Sequence, residues 1–248
     1  MLLINGYKPI AYAWKHAFLT YDDIGKWKPE TQPLLKGSKY LTFSNDTDFA
    51  FAAIYKDHVV FSFEGTANIK GWISDLDVYP LKGEEYLKKN LKSGKWGDGI
   101  IHDGFYTDWI PIKVWVDSIV TDHKLVKRKK KIICTGHSRG SAFSELCARH
   151  LAKNHSIPSS CFTFGSPMIG TKEYRDEFRS LPINGTRVCN GWDLIYYLPP
   201  KILGFRHGCA NEVRNKKPFW RRFIPRLRIN DHLNKNYDKF ITKRFINK

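Results

Sequence analysis

Apolar and polar positions fall into blocks along this chain, and the period of each block predicts an element. Residues 10–19 have the pattern of a first helix. Residues 49–55 and 59–63 are apolar runs separated by Lys56-Asp57-His58, which predicts a hairpin. Ile69, Trp72, Ile73 and Leu76 recur at i, i+3, i+4 and i+7, one apolar face of a helix. A longer helical pattern covers about 105–122. It leads to the short apolar strand Ile132-Ile133-Cys134, and a second helical pattern then runs through about His150. A strand over 160–164, a crossover around 173–179 and a strand over 186–190 follow. Leu233, Tyr237, Phe240 and Ile241 mark a final helical stretch. Strands alternating with helices predict a central, mostly parallel sheet with helices on its faces. Such sheets bind ligands at the carboxyl ends of their strands.

The segment Cys134-Thr135-Gly136-His137-Ser138-Arg139-Gly140 adds chemistry to that frame. It is Gly-x-Ser-x-Gly between a β-branched strand and a helix, the context of a nucleophile elbow. A serine hydroxyl is a poor nucleophile until a tight turn exposes it and a base sits beside it. Glycines at 136 and 140 let strand and helix approach closely around Ser138. Elbow hydrolases carry an acid and then a histidine later in the chain. Asp193 follows the strand Arg187-Val188-Cys189-Asn190 and its Gly191-Trp192 turn, where an acid orienting a histidine belongs. A turn-forming aspartate is the alternative. Two histidines come next, His207 and His232, and chain order alone admits either as the base.

Several motifs occur together in one order. They are Val59-Val60-Phe61-Ser62-Phe63-Glu64-Gly65-Thr66, Gly71-Trp72-Ile73-Ser74-Asp75-Leu76 and His102-Asp103-Gly104-Phe105. After the elbow come Phe164-Gly165-Ser166-Pro167-Met168-Ile169-Gly170, Asp193 with Leu198-Pro199-Pro200, and Asp231-His232-Leu233. Over roughly residues 40–240 the chain resembles the class 3 lipases, fungal triacylglycerol lipases and related acyl hydrolases. The resemblance implies one α/β-hydrolase domain over 1–248, a mostly parallel sheet with helices on both faces and a short lid helix. It implies a Ser138–Asp193–His232 triad acting on lipid esters, lipase or phospholipase A-type, and gives His207 a structural place. The oxyanion hole would combine the backbone N–H of Arg139 with that of Thr66. The amphipathic pattern of Ile69, Trp72, Ile73 and Leu76 would be a lid over about 67–79 rather than a core helix.

The chain departs from the family pattern at a few positions. Arg139 stands where an apolar residue is usual, and a cation at a helix N-terminus opposes the macrodipole. It is expected to be held by an acid, with Glu64 as a candidate partner, or to meet a headgroup. Glu64 itself replaces a frequent basic residue, Ser141 a glycine and Tyr197 a histidine.

Charge changes the picture more than composition does. Lys and Arg total 41 against 24 Asp and Glu in 248 residues, a formal net charge of +17. One cluster, Lys127 to Lys131, precedes the nucleophile strand and is expected at the end of the sheet away from Ser138. The other sets Lys216, Lys217, Arg221, Arg222, Arg226 and Arg228 among Phe219, Trp220, Phe223 and Ile224. Cations interleaved with aromatics suit peripheral binding to an anionic membrane surface. They also suit nucleic-acid backbones, a partner the intact triad set does not favour. No run of apolar residues is long enough to span a bilayer, and the first residues lack the pattern of a secretory signal. The expectation is a cytoplasmic or peripheral-membrane protein. The five cysteines show no metal-type spacing or disulfide framework, so buried free thiols are expected. No metal or organic cofactor is implied. The competing readings are an esterase for soluble esters and a catalytically silent lipid- or nucleic-acid-binding module.

Overall fold

The computed structural model describes residues 7–21, 32–66, 95–96 and 99–246. The segment 67–79, with Ile69, Trp72, Ile73 and Leu76, lies outside the described residues. Helix α1 (Pro9–Leu19) opens on a proline, whose fixed φ and missing N–H suit the first helical position. Strands β1 (Lys39–Ser44), β2 (Phe49–Ile54) and β3 (His58–Phe63) form an antiparallel meander. A two-stranded ribbon, β4 (Lys95–Trp96) and β5 (Gly99–Ile100), precedes α2 (Asp103–Asp122). Then come α3 (Leu125–Arg128), β6 (Lys131–His137), α4 (Arg139–His155), β7 (Ser159–Phe164), α5 (Lys172–Ser180) and β8 (Ile183–Asn190). Strand β9 (Asn211–Asn215) and helices α6 (Pro225–His232) and α7 (Asn234–Ile241) follow.

One seven-stranded sheet runs in the order β1-β2-β3-β6-β7-β8-β9. From β3 to β9 every neighbouring pair is parallel. The register aligns Phe63 with Gly136, His137 with Phe164, and Phe164 with Val188. The carboxyl ends of β3, β6, β7 and β8 therefore form one edge, and the chain turns off that edge at Gly65, Ser138, Gly165 and Gly191.

Alternate residues of the central strands feed two cores. Val59, Phe61, Phe63, Ile132 and Cys134 face α2, α4 and α5 through Trp109, Ile112, Phe143, Leu146 and Tyr174. Phe51, Val60, Ile133, Phe162, Phe164 and Val188 face α1 and α7 through Tyr12, Trp14, Tyr237 and Ile241. A strand covered on both faces has no polar face to alternate with, so its sequence is a continuous apolar run. That is the pattern of residues 49–55 and 59–63.

The structure differs from expectation at three places. β1 is an edge strand with only Leu41 and Phe43 partly buried against the core, too faint an alternation to announce it. α6 occupies the basic segment before His232, where charge masks the helix. His207-Gly208-Cys209, the segment of the other candidate histidine, runs as irregular chain up to β9. All five cysteines are buried, and none is in a disulfide. Among the described residues, no helix is long and apolar enough to cross a membrane. Lys129, Lys130 and Lys131 line a cavity of about 1050 Å³ at the amino end of the parallel strands, opposite Ser138.

Candidate active site

The elbow is built by close backbone contact. A Cβ on Gly136 would sit 2.3 Å from the Gly140 carbonyl oxygen, and one on Gly140 would sit 2.2 Å from the Phe63 carbonyl oxygen. Only glycine fits at either position, so α4 packs directly on the ends of β6 and β3. Between them Ser138 adopts φ 57° and ψ −128° as the N-cap of α4, a conformation that non-glycine residues rarely hold. Ser141 stitches the turn down. Its hydroxyl donates to the Gly136 carbonyl at 2.6 Å and accepts the Phe164 N–H at 3.0 Å. The substitution of glycine by serine therefore supplies hydrogen bonds rather than bulk alone.

Ser138, His232 and Asp193 form one hydrogen-bonded chain. The Ser138 Oγ lies 2.8 Å from His232 Nε2, and His232 Nδ1 lies 2.9 Å from each oxygen of Asp193. None of the three is exposed. Ser138 comes from the end of β6, Asp193 from the turn after β8 and His232 from the last residue of α6. Burial raises the Asp193 pKa, but the His232 charge and the hydrogen bonds from His232 and Tyr237 outweigh it and hold the carboxyl below its usual value. The carboxylate also accepts the Ile195 N–H at 2.9 Å and the Tyr237 hydroxyl at 2.6 Å.

Supporting residues that the sequence reading did not single out surround this chain. The His137 ring stacks on His232, centroids 4.7 Å apart. Burial and the neighbouring His232 push the His137 pKa down to about 3, so its ring is neutral. It donates from Nε2 to the His232 carbonyl at 2.9 Å and accepts the Tyr21 hydroxyl on Nδ1 at 2.6 Å. Gly165 has φ +60°, and a Cβ there would lie 2.7 Å from Asp193 Oδ2 and 3.0 Å from His232 Nδ1. The motif Phe164-Gly165 carried a signal for that position; nothing local marked Tyr237 or Tyr21.

His207 stands elsewhere. Its Nε2 bonds the Tyr196 carbonyl at 3.0 Å and its ring packs on Tyr196. Burial pushes its pKa down to about 3. Thr66 follows Gly65, where a Cβ would lie 2.1 Å from the Tyr21 hydroxyl and 2.7 Å from the His137 carbonyl oxygen, and it is the last described residue of that edge of the sheet.

The pairing of Arg139 with Glu64 is not formed. The guanidinium instead meets Asp48 at 2.5 Å and Asp108 at 2.6 Å and lies over the Phe143 ring. Asp48 stands before β2 and Asp108 on α2, and both reach the guanidinium. Glu64 is left half-buried, and burial together with Asp48 pushes its pKa up to about 7 against the pull of Arg139.

The second basic cluster is divided in its roles. Lys217 and Arg221 both bond the fully buried Asp231, at 2.7 and 2.8 Å, beside His232. Arg222 lies over the rings of Phe219, Phe223 and Trp192. Phe219, Trp220, Phe223 and Ile224 are exposed. Among the described residues, the His and acidic side chains grouped closely enough to hold a metal ion lie on α2 and α4, away from Ser138.

Known proteins resemble this chain in sequence and in fold. The secreted mono- and diacylglycerol lipase 1 of Fusarium solani is 26% identical over 152 residues, 61% of this chain and 42% of its own. The lipase of Rhizomucor miehei is 29% identical over 149 residues, 58% of this chain and 38% of its own. The chain thus spans about two fifths of the length of these relatives. The crystal structure of a lipase from Rhizopus microsporus var. chinensis superposes with a TM-score of 0.69 at 20% identity, over 84% of this chain and 73% of that one. That likeness shows the fold. The sequence model of the family described as lipase (class 3) matches residues 60–202, more than half of the 248. The chain belongs to the class 3 lipase family and has its α/β-hydrolase fold.

Proposed function

We propose that this protein hydrolyses carboxylic esters of lipids through an acyl-enzyme on Ser138. The observation that carries the reading is the buried Ser138–His232–Asp193 chain at the carboxyl edge of the sheet. In this reading Ser138 Oγ attacks the ester carbonyl carbon while His232 Nε2 takes its proton. The imidazolium then protonates the leaving alkoxide, and water, deprotonated by His232, releases the acid. Asp193 keeps Nδ1 protonated and stabilises the imidazolium without taking the proton. The tetrahedral oxyanion is met by the backbone N–H groups of Arg139 and Thr66. Arg139 is the first residue of α4, where N–H groups have no intrahelical acceptor. One such donor is worth about 10²–10³ in rate. The Arg139 side chain is occupied by Asp48 and Asp108, which leaves its amide for this role.

The exposed aromatic and basic segment 219–226 docks the enzyme on anionic lipid. Each cation near such a surface contributes about 1 kcal/mol. Lys217 and Arg221 are tied to Asp231, so Lys216, Arg222 and Arg226 supply the attraction and the aromatics the insertion.

The test is hydrolysis of p-nitrophenyl esters from acetyl to palmitoyl by wild type and Ser138→Ala, with and without anionic phospholipid vesicles. The expected result is activity lost in Ser138→Ala, greatest on long chains and raised by vesicles. Short-chain activity indifferent to vesicles would replace the lipid surface with a soluble ester. Wild-type activity no higher than that of Ser138→Ala would overturn the hydrolase reading.

A further inference from the structure

A second group of polar side chains lies away from the triad, where α2 packs on α4. Asp117 Oδ1 is approached by His150 Nε2 at 2.5 Å and by His155 Nε2 at 2.7 Å. One ligand atom from each of the three residues falls within 4.8 Å of the others. The two rings stand nearly perpendicular, 82° apart with centroids separated by 5.1 Å, so their nitrogens reach one point from different directions. The His150 side chain is buried, while those of His155 and Asp117 are 22% and 31% exposed. The group therefore has an anchored floor and an open side.

We propose that Asp117, His150 and His155 bind one divalent transition-metal ion, Zn²⁺ or a near relative, at the α2–α4 contact. Two imidazole nitrogens and a carboxylate oxygen suit zinc, cobalt, nickel and copper. Calcium and magnesium require mostly oxygen ligands. Zinc bonds of about 2.0–2.2 Å from a central ion place tetrahedral ligand atoms about 3.4 Å apart. The 2.5 and 2.7 Å separations from Asp117 Oδ1 must each open by under about 1 Å, which the part-exposed Asp117 and His155 side chains allow. Water fills the fourth position from the open side. Lys113 Nζ holds the other carboxylate oxygen at 2.7 Å and is the competing cation. Its side chain is 34% exposed and can swing into solvent.

The role of the ion is structural. His150 lies 12 residues beyond Ser138 in α4, about 18 Å along the helix axis. Arg139 and Asp108 already join the two helices beside the nucleophile. The metal fastens the same pair at the far end. Asp117 lies 33 positions before His150, too far apart for any local spacing to mark the site.

The experiment uses untagged, metal-stripped protein titrated with Zn²⁺ and, separately, with Co²⁺ and Ca²⁺. Calorimetry gives stoichiometry, Co²⁺ absorption reports nitrogen and oxygen ligation, and thermal melts report coupling to the fold. The expected result is one Zn²⁺ per chain, visible Co²⁺ bands and a Tm that rises with Zn²⁺ but not with Ca²⁺. His155→Ala and Asp117→Asn weaken Zn²⁺ binding more than about tenfold. His123→Ala leaves it unchanged and Lys113→Ala tightens it. No saturable Zn²⁺ binding by wild type, the same affinity in folded His155→Ala, or an equal response to Ca²⁺ would overturn the proposal. In the first case Asp117 is a hydrogen-bond hub, and Lys113→Ala then lowers the Tm with no metal effect. Wild-type Co²⁺ spectra decide the matter even if a variant fails to fold.

Discussion

Tyr237→Phe isolates the support behind the triad. The hydroxyl is buried, donates to Asp193 Oδ2 at 2.6 Å and accepts the Asn190 N–H at 3.0 Å. Phenylalanine fills the same space, so no cavity enters the reckoning. A hydrogen bond to a charged acceptor is worth about 1.5–3 kcal/mol, and the orphaned Asn190 N–H adds about 1. The expected loss is about 2.5–4 kcal/mol in urea unfolding at neutral pH. Catalysis should suffer less, because both Asp193 oxygens still face His232 Nδ1. We expect kcat/KM to fall about tenfold, against about 10⁴-fold in kcat for Asp193→Asn. The pH dependence has a definite sign. Tyr237 helps to depress the Asp193 pKa, so its contribution is present above the unfolded value of about 3.9 and is lost as pH falls through the folded value. The stability gap between wild type and variant must therefore hold steady from pH 7 down to about 4 and narrow below it. A loss under about 0.5 kcal/mol, or a gap that widens in acid, would refute the reasoning.

Further expectations follow from neighbouring contacts. Gly165→Ala drives a Cβ into Asp193 and His232 at a positive φ and should lower kcat/KM by about a hundredfold or more in a folded protein, measured alongside circular dichroism. Arg139→Met leaves Asp48 buried without its cation and should cost about 3–5 kcal/mol in urea unfolding. Glu64→Gln should cost under about 1 kcal/mol, because Glu64 is not the partner. Glu145 is buried, and burial pushes its pKa up to about 7. Its folded form binds a proton that the unfolded chain has released, so its contribution to stability falls as pH rises from about 4.3 to 7. Urea unfolding at pH 5 and pH 8 should show Glu145→Gln gaining on wild type at the higher pH.

What could be read from the sequence depended on whether a residue's role was local. Gly136, Ser138 and Gly140 announce themselves because the clash they avoid lies within the turn or against the adjoining strand. The buried strands announce themselves because two covered faces demand unbroken apolar runs. Asp193 and His232 were legible through order and resemblance, though residues alone left His207 open. Tyr237, Tyr21 and the stacking of His137 on His232 were not legible. Their partners lie 44, 116 and about 95 positions away, and only the sheet order brings them together. Arg139 shows the same limit. The nearest acid at the strand end, Glu64, was the natural candidate, but the turn before β2 and the flank of α2 supplied closer ones.

The groups around the nucleophile arrive at different times in the chain. Ser138 belongs to the middle of the sheet, whereas His232 and Tyr237 belong to α6 and α7. The latter helix packs on α1, where the Trp14 indole donates to Asp238 at 2.9 Å. A nascent chain can thus complete β3, β6, β7 and β8 and still hold an unarmed serine. The Ser138–His232–Asp193 hydrogen-bonded chain closes only when the late helices return to the earliest one. In the proposed reading, ester hydrolysis therefore waits for α6 and α7, and a nascent chain stopped before residue 232 lacks its base.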